Sequence, residues 1–171
     1  MPHLSLNKTP HETYAPLDPL GFSGRIGRMR LLAWSLVLTL ITWVAVLPVA
    51  LALKVSYTLG FTCALALILA YLMTLVRISA QRLHDLNWSA WLLLLHLVPV
   101  ATFILSTIMI LTPGTPGHNQ YGPPPPPNST AVKVLAWISI ILSVVLFVVG
   151  ILLFALGIAT SFIDAATSNS L

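Results

Sequence analysis

The charged residues of this chain are placed so that only one solvent suits its middle. Between Leu31 and Ile163 they are Lys54, Arg77, Arg82, Asp85 and Lys133, and each stands at the edge of a long apolar run or in one short polar hinge. A charge at bilayer centre costs roughly 2.5–3.5 kcal/mol on insertion scales, so membrane spans exclude it. The spacing predicts an all-α, polytopic transmembrane helical bundle. Composition closes off the soluble alternative. Charged residues make up 7% of the chain and hydrophobic residues 57%, whereas soluble domains carry about 25% charged residues.

Four spans are predicted, at 31–53, 55–76, 91–111 and 134–163. The first has 23 residues, about 35 Å of helix, enough to cross a core of about 30 Å with some tilt. Lys54 alone separates it from the second, which forces a tight antiparallel hairpin. A polar hinge occupies 77–90 and a Pro/Gly loop occupies 112–130. Together these form a membrane domain over 31–163, between an N-terminal segment at 1–30 and a short polar tail at 164–171. Pro2, Pro10, Pro16 and Pro19 crowd the first twenty residues, which read as no signal peptide. Trp34, Trp88, Trp91 and Trp137 fall near predicted interfaces, whereas Trp43 falls mid-span and reads as a packing residue.

Orientation follows from the Lys/Arg bias of short loops. Lys8, Arg25, Arg28, Arg30, Arg77 and Arg82 face Lys54 and Lys133 across the bilayer, which puts both termini in the cytoplasm. The third run has Pro99 near its middle, however, and two topologies stay open. If it crosses, the Pro/Gly loop lies outside. If it re-enters, the loop lies inside and Lys133 joins the inner set, which charge alone slightly prefers. The uninterrupted apolar length of 91–111 favours a crossing, and that is the expectation taken forward.

The net charge of +4 does not imply nucleic acid, because most of the base is clustered beside spans, where it reports topology and contact with anionic headgroups. Three polar segments hold the remaining chemistry. Before the first span, Arg25, Arg28 and Arg30 alternate with Gly24 and Gly27. In the hinge, Arg82 and Asp85 can pair at i,i+3 if the second helix continues through them, with His84 beside them. The acid has no second carboxylate near it in sequence, and no Ser-His-Asp arrangement can be placed. His84, His96 and His118 are too scattered for a metal site. A structural clasp is therefore the preferred reading of the hinge. The third segment, Pro113–Gly122, leads into the polyproline stretch Pro123–Pro127, a stiff rod of about 15 Å serving as a docking surface or a spacer.

Three motifs in this order resemble domain-of-unknown-function family 805, a family of bacterial inner-membrane proteins. They are Phe22, Gly24, Arg25 and Arg28; then Arg82, Leu83, His84, Asp85, Ser89, Ala90 and Trp91; then Pro113, Gly114, Thr115, Gly117, Asn119, Tyr121, Gly122 and Pro123. The resemblance covers about residues 20–127. It implies a bacterial inner (plasma) membrane location and supplies no activity. Where many members carry Arg before the hinge Arg and Asp after the Gly-Pro, this chain has Gln81 and Pro124, and any role of those side chains is expected to be lost.

The functional expectation is a non-enzymatic membrane protein. Its basic cytoplasmic face (Arg25, Arg28, Arg82, His84 and Asp85) would bind anionic lipid headgroups or a membrane partner. Gly114, Thr115, Gly117, Asn119, Tyr121 and Gly122 would form a structural loop, with no cofactor, metal or nucleic acid. The alternatives are an oligomeric transporter or channel subunit and, behind it, a lipid-modifying enzyme centred on His84 and Asp85.

Overall fold

The computed structural model describes residues 14, 15 and 17–168, and in the last helix it describes side chains only as far as residue 161, with 159 excepted. The expectations for Lys8, Pro2, Pro10 and Pro16, and for the end of the polar tail, lie outside the described residues. The chain is helical as predicted. Helix α1 covers Arg28–Val55, α2 Tyr57–Asp85, α3 Pro99–Leu111 and α4 Thr130–Ser168, and a 3-10 helix runs over Ala90–Leu97. Three of these, α1, α2 and α4 as far as Ile158, are long and apolar enough to cross a membrane.

One extended residue, Ser56, separates α1 from α2. Its amide donates to the carbonyl of Ala52 and its own carbonyl accepts from Gly60, both at 2.9 Å. Gly60 is needed there, because a Cβ would overlap both the side chain and the Cα of Leu53. The predicted hairpin follows from that one close approach. Helix α1 then packs along α2 on one side and α4 on the other.

The third apolar run departs from expectation. It is not one helix: it forms the 3-10 helix, breaks at the extended residue Val98, and resumes as α3 with Pro99 at its first turn. Proline has no amide to donate and a φ already set for a helix, so it starts a helix readily and cannot continue one. The 13 residues of α3 span about 20 Å, short of the hydrocarbon thickness. The run also begins and ends at the same place, since Thr115 just beyond it donates its amide to the carbonyl of Asp85 just before it, at 2.8 Å. The third run is thus a helical hairpin that turns at Val98, and it supplies none of the three helices long and apolar enough to cross.

The hydrophobic core sits at that end of the molecule. Ile26, Ile78, Leu83, Leu86, Leu105 and Met109 are buried together, with Trp34 packed against them. Along the middle of the long helices hardly any side chain is covered by protein, and Phe147, Phe154 and Leu156 stand outward, as lipid-facing residues do. Trp43, expected to pack, belongs to this outward set at 69% exposed. We predict that Leu83→Ala, which empties a fully buried position, lowers stability by about 2–5 kcal/mol. Leu156→Ala should leave the melting temperature in detergent nearly unchanged.

Candidate functional site: a buried arginine clasp

Three segments far apart in sequence meet around one carboxylate. Helix α2 does continue through the hinge, so Arg82 and Asp85 share a face, and Arg82 Nη1 donates to Asp85 Oδ2 at 2.5 Å. The other oxygen, Oδ1, accepts from Arg25 Nε at 3.3 Å and Nη2 at 3.1 Å. Both guanidiniums are fully enclosed, and Asp85 is 2% exposed. Two cations on one anion leave a surplus positive charge, and carbonyl oxygens take it up. Arg25 donates to those of Thr115 (2.6 Å), Gly117 (2.7 Å) and Gly122 (3.1 Å). Arg82 donates to those of Met109 (2.8 Å) and Thr112 (2.5 Å). A buried ion pair is tolerable only when its remaining donors are satisfied in this way.

The same contacts solve a second problem, the orphan carbonyls at helix ends. Helix α2 stops in a Schellman turn. Asn87 adopts φ 62°, its amide donates to His84 O at 3.0 Å, and that of Trp88 donates to Leu83 O at 2.9 Å. Asparagine tolerates this left-handed conformation. The carbonyls of the last turn are completed by the Pro/Gly loop. The amide and hydroxyl of Thr115 both donate to Asp85 O, and Asn119 Nδ2 donates to His84 O at 2.8 Å. Conversely, Arg82 and Arg28 cap α3, Arg28 Nη1 donating to Leu111 O at 3.1 Å, where a cation also complements the helix dipole. Each motif closes a helix belonging to another.

Glycine is required where the loop touches the carboxylate, because a Cβ at Gly114 would overlap both Asp85 oxygens. Gly117 (φ 66°) and Gly122 (φ 115°) have left-handed backbones, which lets both carbonyls point at one guanidinium. Between them Asn119 and Gly122 exchange backbone hydrogen bonds at 3.0–3.1 Å, and Asn119 Oδ1 accepts from the Tyr121 amide. Tyr121 thereby lies flat on His84, ring centroids 3.9 Å apart and 12° from parallel. Among the described residues, the Nδ1 atom of His84 is buried without a partner.

The structure thus brings together Arg25, Arg28, Arg82, His84, Asp85, Thr115, Gly117, Asn119, Tyr121 and Gly122. The guanidiniums of Arg25 and Arg82 are enclosed by protein. Sequence reasoning missed Gln81. Its amide donates to the carbonyls of Asp18 (2.5 Å) and Gly21 (2.7 Å), so the position keeps a structural role with a neutral side chain. Arg30, read in sequence as topology or headgroup contact, is buried and donates to the carbonyls of Pro126 and Pro127 at 3.3 Å each. Pro124 also contributes through its backbone, its carbonyl accepting from Ala15. A polyproline stretch has free carbonyls and no amides, so arginines nearby were the available signal.

Comparison with known proteins agrees with this grouping. A family model described as protein of unknown function (DUF805) matches residues 19–123, more than half of the chain and the stretch that builds the clasp. The chain belongs to this family. It is 40% identical over 48 residues to inner membrane protein YhaH of Escherichia coli (strain K12), a match covering 28% of this chain and 40% of YhaH. It is 28% identical over 107 residues to inner membrane protein YhaI of the same organism, covering 62% of this chain and 86% of YhaI. No solved structure matches the chain significantly.

We predict that Asp85→Asn, which leaves two buried guanidiniums without a counter-ion, costs about 3–5 kcal/mol. Gly114→Ala should open the clasp by steric overlap alone. Both variants should expose Tyr121 to chymotrypsin in detergent micelles in which the parent chain resists cleavage.

Proposed function

We propose that this member of the DUF805 family is a non-enzymatic protein of the bacterial inner membrane, crossing three times, with its motif-bearing end in the cytoplasm. The observation that carries the reading is the occupancy of the clasp. The acid and the two arginines that chemistry would recruit are already bonded to one another and to backbone. Their work is to hold a helical hairpin in place.

Charge supports the orientation. With the Pro/Gly loop beside the hinge, Arg25, Arg28, Arg30, Arg77, Arg82 and Lys133, together with Lys8, lie on one side and Lys54 alone on the other. That is a stronger inside bias than the four-span topology gives. Three crossings then place the far end of α4 across the membrane from the N-terminal segment, in place of the shared compartment expected from four. Reporter fusions check this. A fusion after Asn128 should read as cytoplasmic and one after Leu171 as periplasmic, and the reverse pair would restore four crossings.

At the cytoplasmic rim the cations left for lipid are those outside the clasp. Arg28 and Lys133 are exposed, and Arg77 lies over the Phe22 ring at 5.1 Å with its Nε unpaired. We assign anionic-headgroup contact to these three in place of Arg25, Arg82 and His84. Each is worth about 1 kcal/mol beside an anionic leaflet, about fivefold in local enrichment. Arg77→Gln with Lys133→Gln should therefore lower the phosphatidylglycerol that co-purifies with the chain without changing its melting temperature. Unchanged lipid retention would reject the assignment.

A further inference from the structure

Beneath the clasp, α1, α2, α4 and the hairpin enclose a cleft of about 740 Å³, within the range of small-molecule sites. Leucine is its commonest lining residue, and among the described residues no Asp, Glu, Lys or Arg lines it. Into it face Ser35 and Thr39 from α1, Ser79 from α2, Ser139 from α4, and His96 and Ser106 from the hairpin.

The hydroxyls are the informative part. A hydroxyl in a membrane helix ordinarily satisfies itself on the carbonyl four residues back. Thr42, Thr62, Thr74, Thr107 and Ser143 do so here. The hydroxyls of Ser35, Thr39, Ser79 and Ser139 have no protein partner among the described residues, and three different helices deliver them to one cleft. The hairpin pair is already engaged. His96 Nδ1 lies 3.3 Å from Leu93 O, and its Nε2 lies 3.4 Å from Ser106 Oγ.

Depth and charge then select the occupant. The four free hydroxyls lie about 9–16 Å along their helices from the ends that carry the clasp, and Thr39 and Ser139 lie deeper by this measure than Arg77. Unpaired hydroxyls surrounded by hydrocarbon are costly, and a cleft without charges offers nothing to an ionic head. We propose that the cleft seats the head of an uncharged lipid, one whose carbonyl or hydroxyl oxygens pair with Ser35, Thr39, Ser79 and Ser139 while its chain leaves between the helices. Diacylglycerols and isoprenoid quinones share that chemistry.

The test uses the full chain in nanodiscs, photolabelled in separate arms with a diazirine diacylglycerol, a photoactivatable isoprenoid quinone and a diazirine phosphatidylglycerol. The expected result is saturable labelling of cleft peptides by one neutral probe, competed by its unlabelled parent, with the phosphatidylglycerol probe labelling the cleft at least fivefold less. The neutral arm that labels identifies the source. Ser139→Leu should reduce cleft labelling at least fivefold and leave labelling around the outward Phe154 unchanged. Ser139→Ala, which keeps the helix surface smooth, should reduce it in the same direction if the hydroxyl matters. Equal labelling of the cleft and the Phe154 face, labelling indifferent to both variants, or a cleft that admits only water and labels in neither neutral arm would each overturn the proposal.

Discussion

Everything at the structured end of this protein is arranged around the Asp85 carboxylate. With both oxygens engaged, it holds Arg25 from the segment before α1 and Arg82 from its own helix. Those two guanidiniums in turn gather carbonyls from the end of α3 and from the Pro/Gly loop. Enclosing three charges is costly in itself, and the net stabilisation of a buried ion pair over apolar packing is often nil. What the arrangement supplies is uniqueness. A guanidinium offers donors in a fixed fork, so only one position of the loop satisfies them all.

That uniqueness explains how a short apolar helix can fold back so that its run ends beside the place where it began. A re-entrant segment needs both ends fixed at one surface, and its backbone polar groups need partners wherever the helix is broken. Arg82 and Arg28 provide those partners at the C-terminal end of α3, and the amide and hydroxyl of Thr115 fix the distance back to α2. The hairpin is held by its ends, and so its flanks are free to be lipid-facing leucine.

Much of this was legible in the sequence, and the parts that were not share a cause. The three long helices follow from charge exclusion, the α1–α2 hairpin from the lone Lys54, and the Arg82–Asp85 pair from i,i+3 spacing. The third run differs from expectation because hydropathy measures whether a segment tolerates lipid, whereas its path is decided by what holds its ends. Pro99 marked the break between the 3-10 helix and α3, which apolar length alone concealed. Gln81 and Arg30 were missed because their partners are backbone carbonyls, which carry no side-chain signature. Trp43 was misplaced because a mid-span tryptophan facing hydrocarbon looks, in sequence, identical to one facing a helix.

The division of labour that results is physical. The charged residues that carry the family resemblance, Arg25, Arg82 and Asp85, are enclosed in the clasp, where a substitution is felt as lost stability before it is felt as lost recognition. Recognition then falls to positions outside those motifs. Arg28 is the exception, since it caps α3 and is exposed at once. The cleft hydroxyls Ser35, Thr39 and Ser139 lie on helix faces that the clasp orients and none of the three motifs includes. A scaffold of this kind can hold its shape while the cleft beneath it changes polarity by single hydroxyl-to-methyl exchanges. Such exchanges leave the arginines and their carboxylate untouched. The cleft is therefore the part of the molecule where a difference in ligand between members of the family would be written at least cost to the fold.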